Sequence, residues 1–147
     1  MSAAHRVGVA AALAGTLLSG YLLAVRLTGG QAICGPALGP FGGCATVETS
    51  AWSSIGPIPI AAVGVVGSLT LFIATIAHGR RRDERALALW VLAATVGAMV
   101  ELSLIAIQAF LIGAWCIWCL GYGATVFLSA GCALTVARAA SRRQRDG

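Results

Sequence analysis

The sequence predicts an all-α integral membrane protein, a four-transmembrane-helix bundle with one long outer loop between its first and second helices. Three observations carry this. Of the 147 residues, 59% are apolar and 10% charged, whereas soluble domains carry about 25% charged residues. Mean hydropathy is +0.89. Four apolar stretches each reach the roughly 20 helical residues that a hydrocarbon core of about 30 Å requires.

The first stretch, residues 7–27, follows Arg6. A basic residue before an apolar run also begins a secretory signal, but no small-x-small cleavage site follows at the right distance, so the stretch is read as a helix. Its Gly15, Ser19 and Gly20, with Gly64 and Gly67 of the second stretch, are the small residues that let membrane helices pack closely. Residues 28–57 form the long loop, which holds Cys34 and Cys44. Between these cysteines, Gly35 to Gly43 is rich in glycine and proline and has neither helical nor strand period, the mark of a mobile loop or hairpin cap. The second, third and fourth stretches cover 58–77, 87–111 and 116–137. Too little chain remains for a separate soluble domain, so residues 1–147 are read as one membrane domain.

Charge gives the orientation. The net charge of +5 comes entirely from arginine on the basic side, which is topology information rather than a nucleic-acid surface. Arg6, the Arg80-Arg81-Arg82 and Arg85 loop, and Arg138, Arg142, Arg143 and Arg145 all fall on one side, with only Arg26 against the trend. The positive-inside rule places them and both termini in the cytoplasm. The long loop and the start of the fourth helix then lie on the outer face of a plasma (inner) membrane, in an oxidising compartment for a bacterial-type cell. Trp52, Trp115 and Trp118 fall at the outer interface and Trp90 at the inner one, as an aromatic belt would. Cys132 lies about 24 Å along the fourth helix and reads as a small buried apolar residue.

Four cysteines thus face one compartment. Cys116 and Cys119 stand at i and i+3, on one helix face about 5 to 6 Å apart at Cβ, slightly wide for a disulfide. A small adjustment at a frayed helix start closes them, and the exposed N–H groups there stabilise a thiolate. Such a pair can alternate between disulfide and dithiol. Cys34 and Cys44 are either a static staple, common in oxidising compartments, or a flexible shuttle that exchanges through mixed disulfides. A zinc site built from all four thiolates is disfavoured because structural sites space both pairs by two to four residues; no metal site is expected.

The order of loop Cys34 and Cys44, then Val47 and Ser50, Gly56, Ile58-Pro59-Ile60 and Gly64, and Gln108 before Cys116-x-x-Cys119 resembles the vitamin K epoxide reductase family, particularly its bacterial members. A related four-helix disulfide-forming system carries its CxxC in the first outer loop, the reverse order. The resemblance implies a thiol-to-quinone relay that generates disulfides, and it leaves vitamin K epoxide or quinone open as a further substrate. By that resemblance Cys119 stands next to a quinone of menaquinone or ubiquinone type. Cys116 is its partner, Cys44 reaches Cys116, and Cys34 meets a soluble donor. Ser50 matches a family serine held near the quinone, and Gln108, Trp118 and Glu101 are candidate quinone-pocket residues. Many bacterial members carry a fused thioredoxin-like domain. None follows here, so the expected donor is a separate periplasmic thioredoxin-fold, DsbA-like protein.

Glu101 lies midway through the third helix, where an ionised carboxylate costs at least about 2.5 kcal/mol. It serves either proton delivery or a cross-bundle hydrogen bond with groups such as Ser103 or Thr95. His5 and His78 fall near the cytoplasmic face, far from the thiols, and take no role. The competing class is a structural four-helix protein with permanent outer disulfides. A channel would require polar residues along several helices, and Glu101 and Gln108 alone do not make one.

Overall fold

A computed structural model describes residues 2–34, 36–81 and 83–145. Four helices long and apolar enough to cross a membrane dominate it. Helix α1 spans Ala3–Leu27 and starts where Ser2 Oγ accepts the His5 N–H at 3.3 Å, the usual role of serine as an N-cap. After the loop helix α2, Cys44–Thr49, come α3, Ile60–Arg81, and α4, Glu84–Ile107. Asp83 caps α4 by accepting the Arg85 N–H at 2.9 Å. A π-helical turn, Gln108–Ile112, follows directly, and α5 runs Ile117–Arg145.

The expected stretches are all helical, but their ends differ. The spans α3 and α5 continue past the apolar residues into their arginine-bearing turns, where cations favour the helix C-terminus. The second span begins at Ile60 rather than at residue 58. Ile58–Pro59 is instead a strand, β2, paired antiparallel with β1, Ser54–Ile55, around Gly56 at φ 59°. The residue before a proline is driven from helical to extended backbone, which accounts for the later start. The glycine- and proline-rich loop is also more structured than its composition indicates. Pro36–Phe41 forms 3-10 turns broken at Gly39, where φ is 55°.

The spans form a ring in the order α1, α3, α4, α5, each packed on its two neighbours. Close approach depends on small residues. A Cβ on Gly15 would stand 2.8 Å from Thr125 Oγ1, and one on Gly64 3.3 Å from Ser19 Cβ. Ser19 and Ser68 hydroxyls meet at 3.1 Å between α1 and α3.

The end of the bundle that carries the termini has its own buried core. Trp90, expected in an interfacial belt, is instead 0% exposed and donates its indole N–H to Ser129 Oγ at 3.0 Å. Gly8 makes room for the ring, since any Cβ there would overlap it. His5 lies edge-on to that indole and bonds the Thr75 carbonyl at 2.9 Å through Nε2. His78 is buried beside His5 and bonds the Asp83 carbonyl at 3.1 Å through Nδ1, so both histidines belong to helix packing. Leu17, Val66, Leu92 and Met99 point outward, as a lipid-facing surface requires.

Candidate active site

The loop end of the ring brings the two cysteine pairs together. Cys34 and Cys44 are joined by a disulfide, while Cys116 and Cys119 are free thiols. Backbone pairing sets the loop on the start of α5: Gly42 bridges Cys116, and the Gly43 N–H donates to the Trp115 carbonyl at 3.0 Å. A glycine is required at position 43 because a Cβ would fall 2.9 Å from Ala114 Cβ and 3.2 Å from the Trp115 backbone. This contact carries Cys44, the next residue, into a buried cluster with Cys116 and Ala32, where both cysteines are 0% exposed. Cys34 is only half-buried. It is the end of the disulfide that an external thiol can approach.

Cys116 stands one residue ahead of α5. The Cys119 thiol beside it is the largest influence on its acidity, and with the backbone N–H groups of Cys119 and Trp118 it holds the Cys116 thiol below its ordinary range. Burial and the charge of Glu48 oppose this more weakly. The Cys119 N–H lies 3.3 Å from Cys116 Sγ. Hydrogen bonds to a thiolate favour the charged, nucleophilic form.

Cys119, three residues on, faces a different space. It lines a cavity of about 450 Å³ bordered by α1, α3, α4, the loop and the start of α5, within the ordinary range for a small-molecule site. Most of its wall is apolar, including Val63, Val96, Val100 and Leu104. Ser50, Glu101 and Gln108, expected to share a pocket, all line it. The Ser50 hydroxyl donates to the Val47 carbonyl at 2.7 Å, leaving its oxygen lone pairs. Gln108 is 4% exposed, and its Oε1 accepts the Cys116 N–H at 2.9 Å. Among the described residues its amide nitrogen has no protein partner. Glu101 is 7% exposed and lies against Gly123, where a Cβ would stand 3.1 Å from Oε2.

Trp118 departs from expectation. It is absent from the cavity wall; its ring packs on Tyr21 at 5.0 Å between centroids, and its indole N–H donates to the Ile33 carbonyl at 3.1 Å. The reason is helical geometry: Trp118 is one residue from Cys119, about 100° around the axis. The cavity's aromatic wall comes instead from Trp52 and Tyr122, whose hydroxyl donates to the Gly64 carbonyl at 3.0 Å. Tyr122 follows Cys119 by one turn, a spacing visible in the sequence but not singled out there. Arg26, the arginine out of place in the charge pattern, also lines the cavity and donates to the Glu48 carbonyl at 3.2 Å. Its position serves the loop. No cluster of three or more metal-ligating side chains occurs among the described residues.

Four spanning helices that seat a loop disulfide beside a thiol pair, with one thiol facing an apolar cavity, define a multi-pass membrane oxidoreductase. The chain belongs to the vitamin K epoxide reductase family, whose sequence model matches residues 6–134. No curated protein matches it significantly.

Proposed function

We propose that the protein is a thiol:quinone oxidoreductase that generates disulfides in a partner protein. The observation that carries this reading is the division between adjacent thiols: Cys116 is buried against Cys44, while Cys119 lines the cavity. The pair thus has one face toward the loop and one toward a bound molecule. The cavity wall fits a quinone, being largely apolar with few polar groups, among them the Ser50 oxygen and a Gln108 amide nitrogen without a partner among the described residues. A quinone of menaquinone or ubiquinone type supplies a two-electron, two-proton acceptor there, and vitamin K epoxide falls within the same chemistry.

The residues of this chain divide the work. A soluble dithiol attacks Cys34, forming a mixed disulfide and releasing the Cys44 thiol, and its second thiol then frees Cys34 as the donor becomes a disulfide. Cys44 then attacks Cys116 of an oxidised Cys116–Cys119 pair, releasing the Cys119 thiol, and Cys34 resolves the Cys44–Cys116 mixed disulfide. The loop returns to its disulfide and the inner pair becomes a dithiol, with electrons conserved at each exchange. Gln108 holds the Cys116 backbone, and Glu101 places a group able to hold a proton in the cavity. The donor is a separate periplasmic thioredoxin-fold, DsbA-like protein. The protein sits in the plasma (inner) membrane with both termini cytoplasmic and the cysteine pairs on the outer face.

The test uses purified protein, dithiothreitol and a soluble quinone analogue. Cys116→Ala and Cys119→Ala should each abolish protein-dependent quinone reduction. Retention of the parental rate in either variant rejects the relay.

A further inference from the structure

Both backbone polar groups of Ile33, immediately before Cys34, are held by aromatic side chains. Its N–H donates to the Tyr21 hydroxyl at 3.1 Å, and its carbonyl accepts the Trp118 indole N–H at 3.1 Å. Tyr21 and Trp118 pack on one another. A loop residue clamped at both groups is fixed in orientation, yet the Ile33 side chain is 79% exposed. Across the disulfide, three residues before Cys44, Phe41 is 42% exposed. No charged residue stands between Arg26 and Glu48. The half-buried Cys34 is therefore preceded by a fixed, exposed apolar residue, with exposed Phe41 near the other end of the disulfide, in a segment without charge.

We infer that Ile33, with Phe41, is the docking anchor for the soluble donor, a thioredoxin-fold dithiol protein that presents an apolar surface beside its reactive cysteine. This rests on the relay reading above and adds how the donor is recognised. With the Ile33 backbone groups already bonded to Tyr21 and Trp118, recognition falls to its side chain rather than to strand addition. Seating Ile33 in the donor's apolar surface aligns the donor thiolate with Cys34 Sγ. Attack forms a donor–Cys34 mixed disulfide and breaks the Cys34–Cys44 bond. Cys44 leaves as a thiolate that takes up a proton. The donor's second thiol then resolves the mixed disulfide, freeing Cys34, so the donor is oxidised by two electrons and the loop reduced by two.

A small dithiol reaches Cys34 without docking, so the readout is the ratio of two rates of loop reduction, one with reduced thioredoxin and one with dithiothreitol. In the parental chain, thioredoxin should be the faster donor per thiol. Ile33→Asp should lower the ratio about tenfold, Phe41→Ser should lower it less, and Ile33→Leu should preserve it. Thiol trapping of the Cys34–Cys44 disulfide verifies folding of each variant. An unchanged ratio in Ile33→Asp, as expected if the side chain only enters lipid, overturns the inference, as does a parental chain with no preference for thioredoxin. Failure of the relay itself is distinct, because it would appear as dithiothreitol-driven quinone reduction that survives Cys116→Ala.

Discussion

Gln108 Oε1 accepts the backbone N–H of Cys116 at 2.9 Å, with both residues buried. A side chain at the end of α4 thereby fixes the first cysteine ahead of α5. The π-helical turn Gln108–Ile112, closed by Gly113 at φ 68°, sets this geometry; such turns recur at functional sites. Removing the acceptor leaves a buried N–H unpaired, at about 1–3 kcal/mol. Gln108→Leu should lose stability of that order in chemical denaturation and reduce quinone more slowly. Gln108→Glu keeps an acceptor and should recover most of the stability. A leucine variant as stable as the parent would show that the bond contributes nothing.

The Cys116 thiol is held below its ordinary range chiefly by the Cys119 thiol beside it. The thiolate is the reactive form, so alkylation of Cys116 should rise with pH and reach its plateau below the pH at which a free cysteine, with pKa about 8.5, does so. The same sign governs stability: a depressed folded-state value favours the fold above the unfolded pKa, and that contribution fades as pH falls through the folded value. Cys119→Ala removes the first cause and should move the alkylation midpoint upward. Rates of iodoacetamide modification across pH, with Cys34 and Cys44 kept oxidised, measure both midpoints.

Gly43 is the point where the loop touches the start of α5. An added Cβ would stand 2.9 Å from Ala114 Cβ and 3.2 Å from the Trp115 nitrogen and oxygen, so Gly43→Val must break the Gly43–Trp115 hydrogen bond and move Cys44 from Cys116. In a chain carrying Cys34→Ser and Cys119→Ser, Cys44 and Cys116 should form a trapped disulfide, seen as a mobility shift on non-reducing gels. Adding Gly43→Val should slow its formation by at least about tenfold. Trapping at the parental rate would mean that the backbone contact does not set the approach of the two sulfurs.

Much of this architecture is legible in the sequence because a membrane enforces it. Every spanning backbone must satisfy its own hydrogen bonds, so four long apolar runs leave little freedom beyond helix ends. Side-chain direction was less legible. Trp118 and Trp90 both read as interfacial by depth, yet one clamps Ile33 and the other fills the space left by Gly8. Depth follows from position along a helix, whereas facing depends on how neighbouring helices rotate. Trp52 entered the cavity wall through the fold of the loop, which has no periodicity to read, and Arg26, in the last turn of α1, meets that loop at the Glu48 carbonyl. The separate surroundings of Cys116 and Cys119 likewise emerge only when Gly42 and Gly43 pair with the Trp115-Cys116 segment.

Glu101 gives the sharpest remaining contrast. The cross-bundle partners expected for it are absent: the Thr95 hydroxyl donates to Val91 at 2.8 Å and the Ser103 hydroxyl to Met99 at 2.9 Å, each within α4. Among the described residues no side chain donates to the Glu101 carboxyl, which lines the same cavity as Cys119. A carboxyl retained in a membrane span at a cost of at least about 2.5 kcal/mol when ionised calls for a role there. Glu101→Gln keeps size and hydrogen-bonding capacity but cannot exchange a proton. If the carboxyl transfers a proton during turnover, the substitution should slow quinone reduction about 100-fold, the low end for general acid–base catalysis. Exchange between the loop disulfide and the inner pair should proceed as before, because neither Cys44 nor Cys116 lines the cavity. Stopped-flow quinone absorbance and thiol trapping on the same samples separate the two steps. Parental quinone reduction in Glu101→Gln would reduce the carboxyl to a polar patch of wall, and equal slowing of both steps would assign it to the packing of α4 on α5 at Gly123.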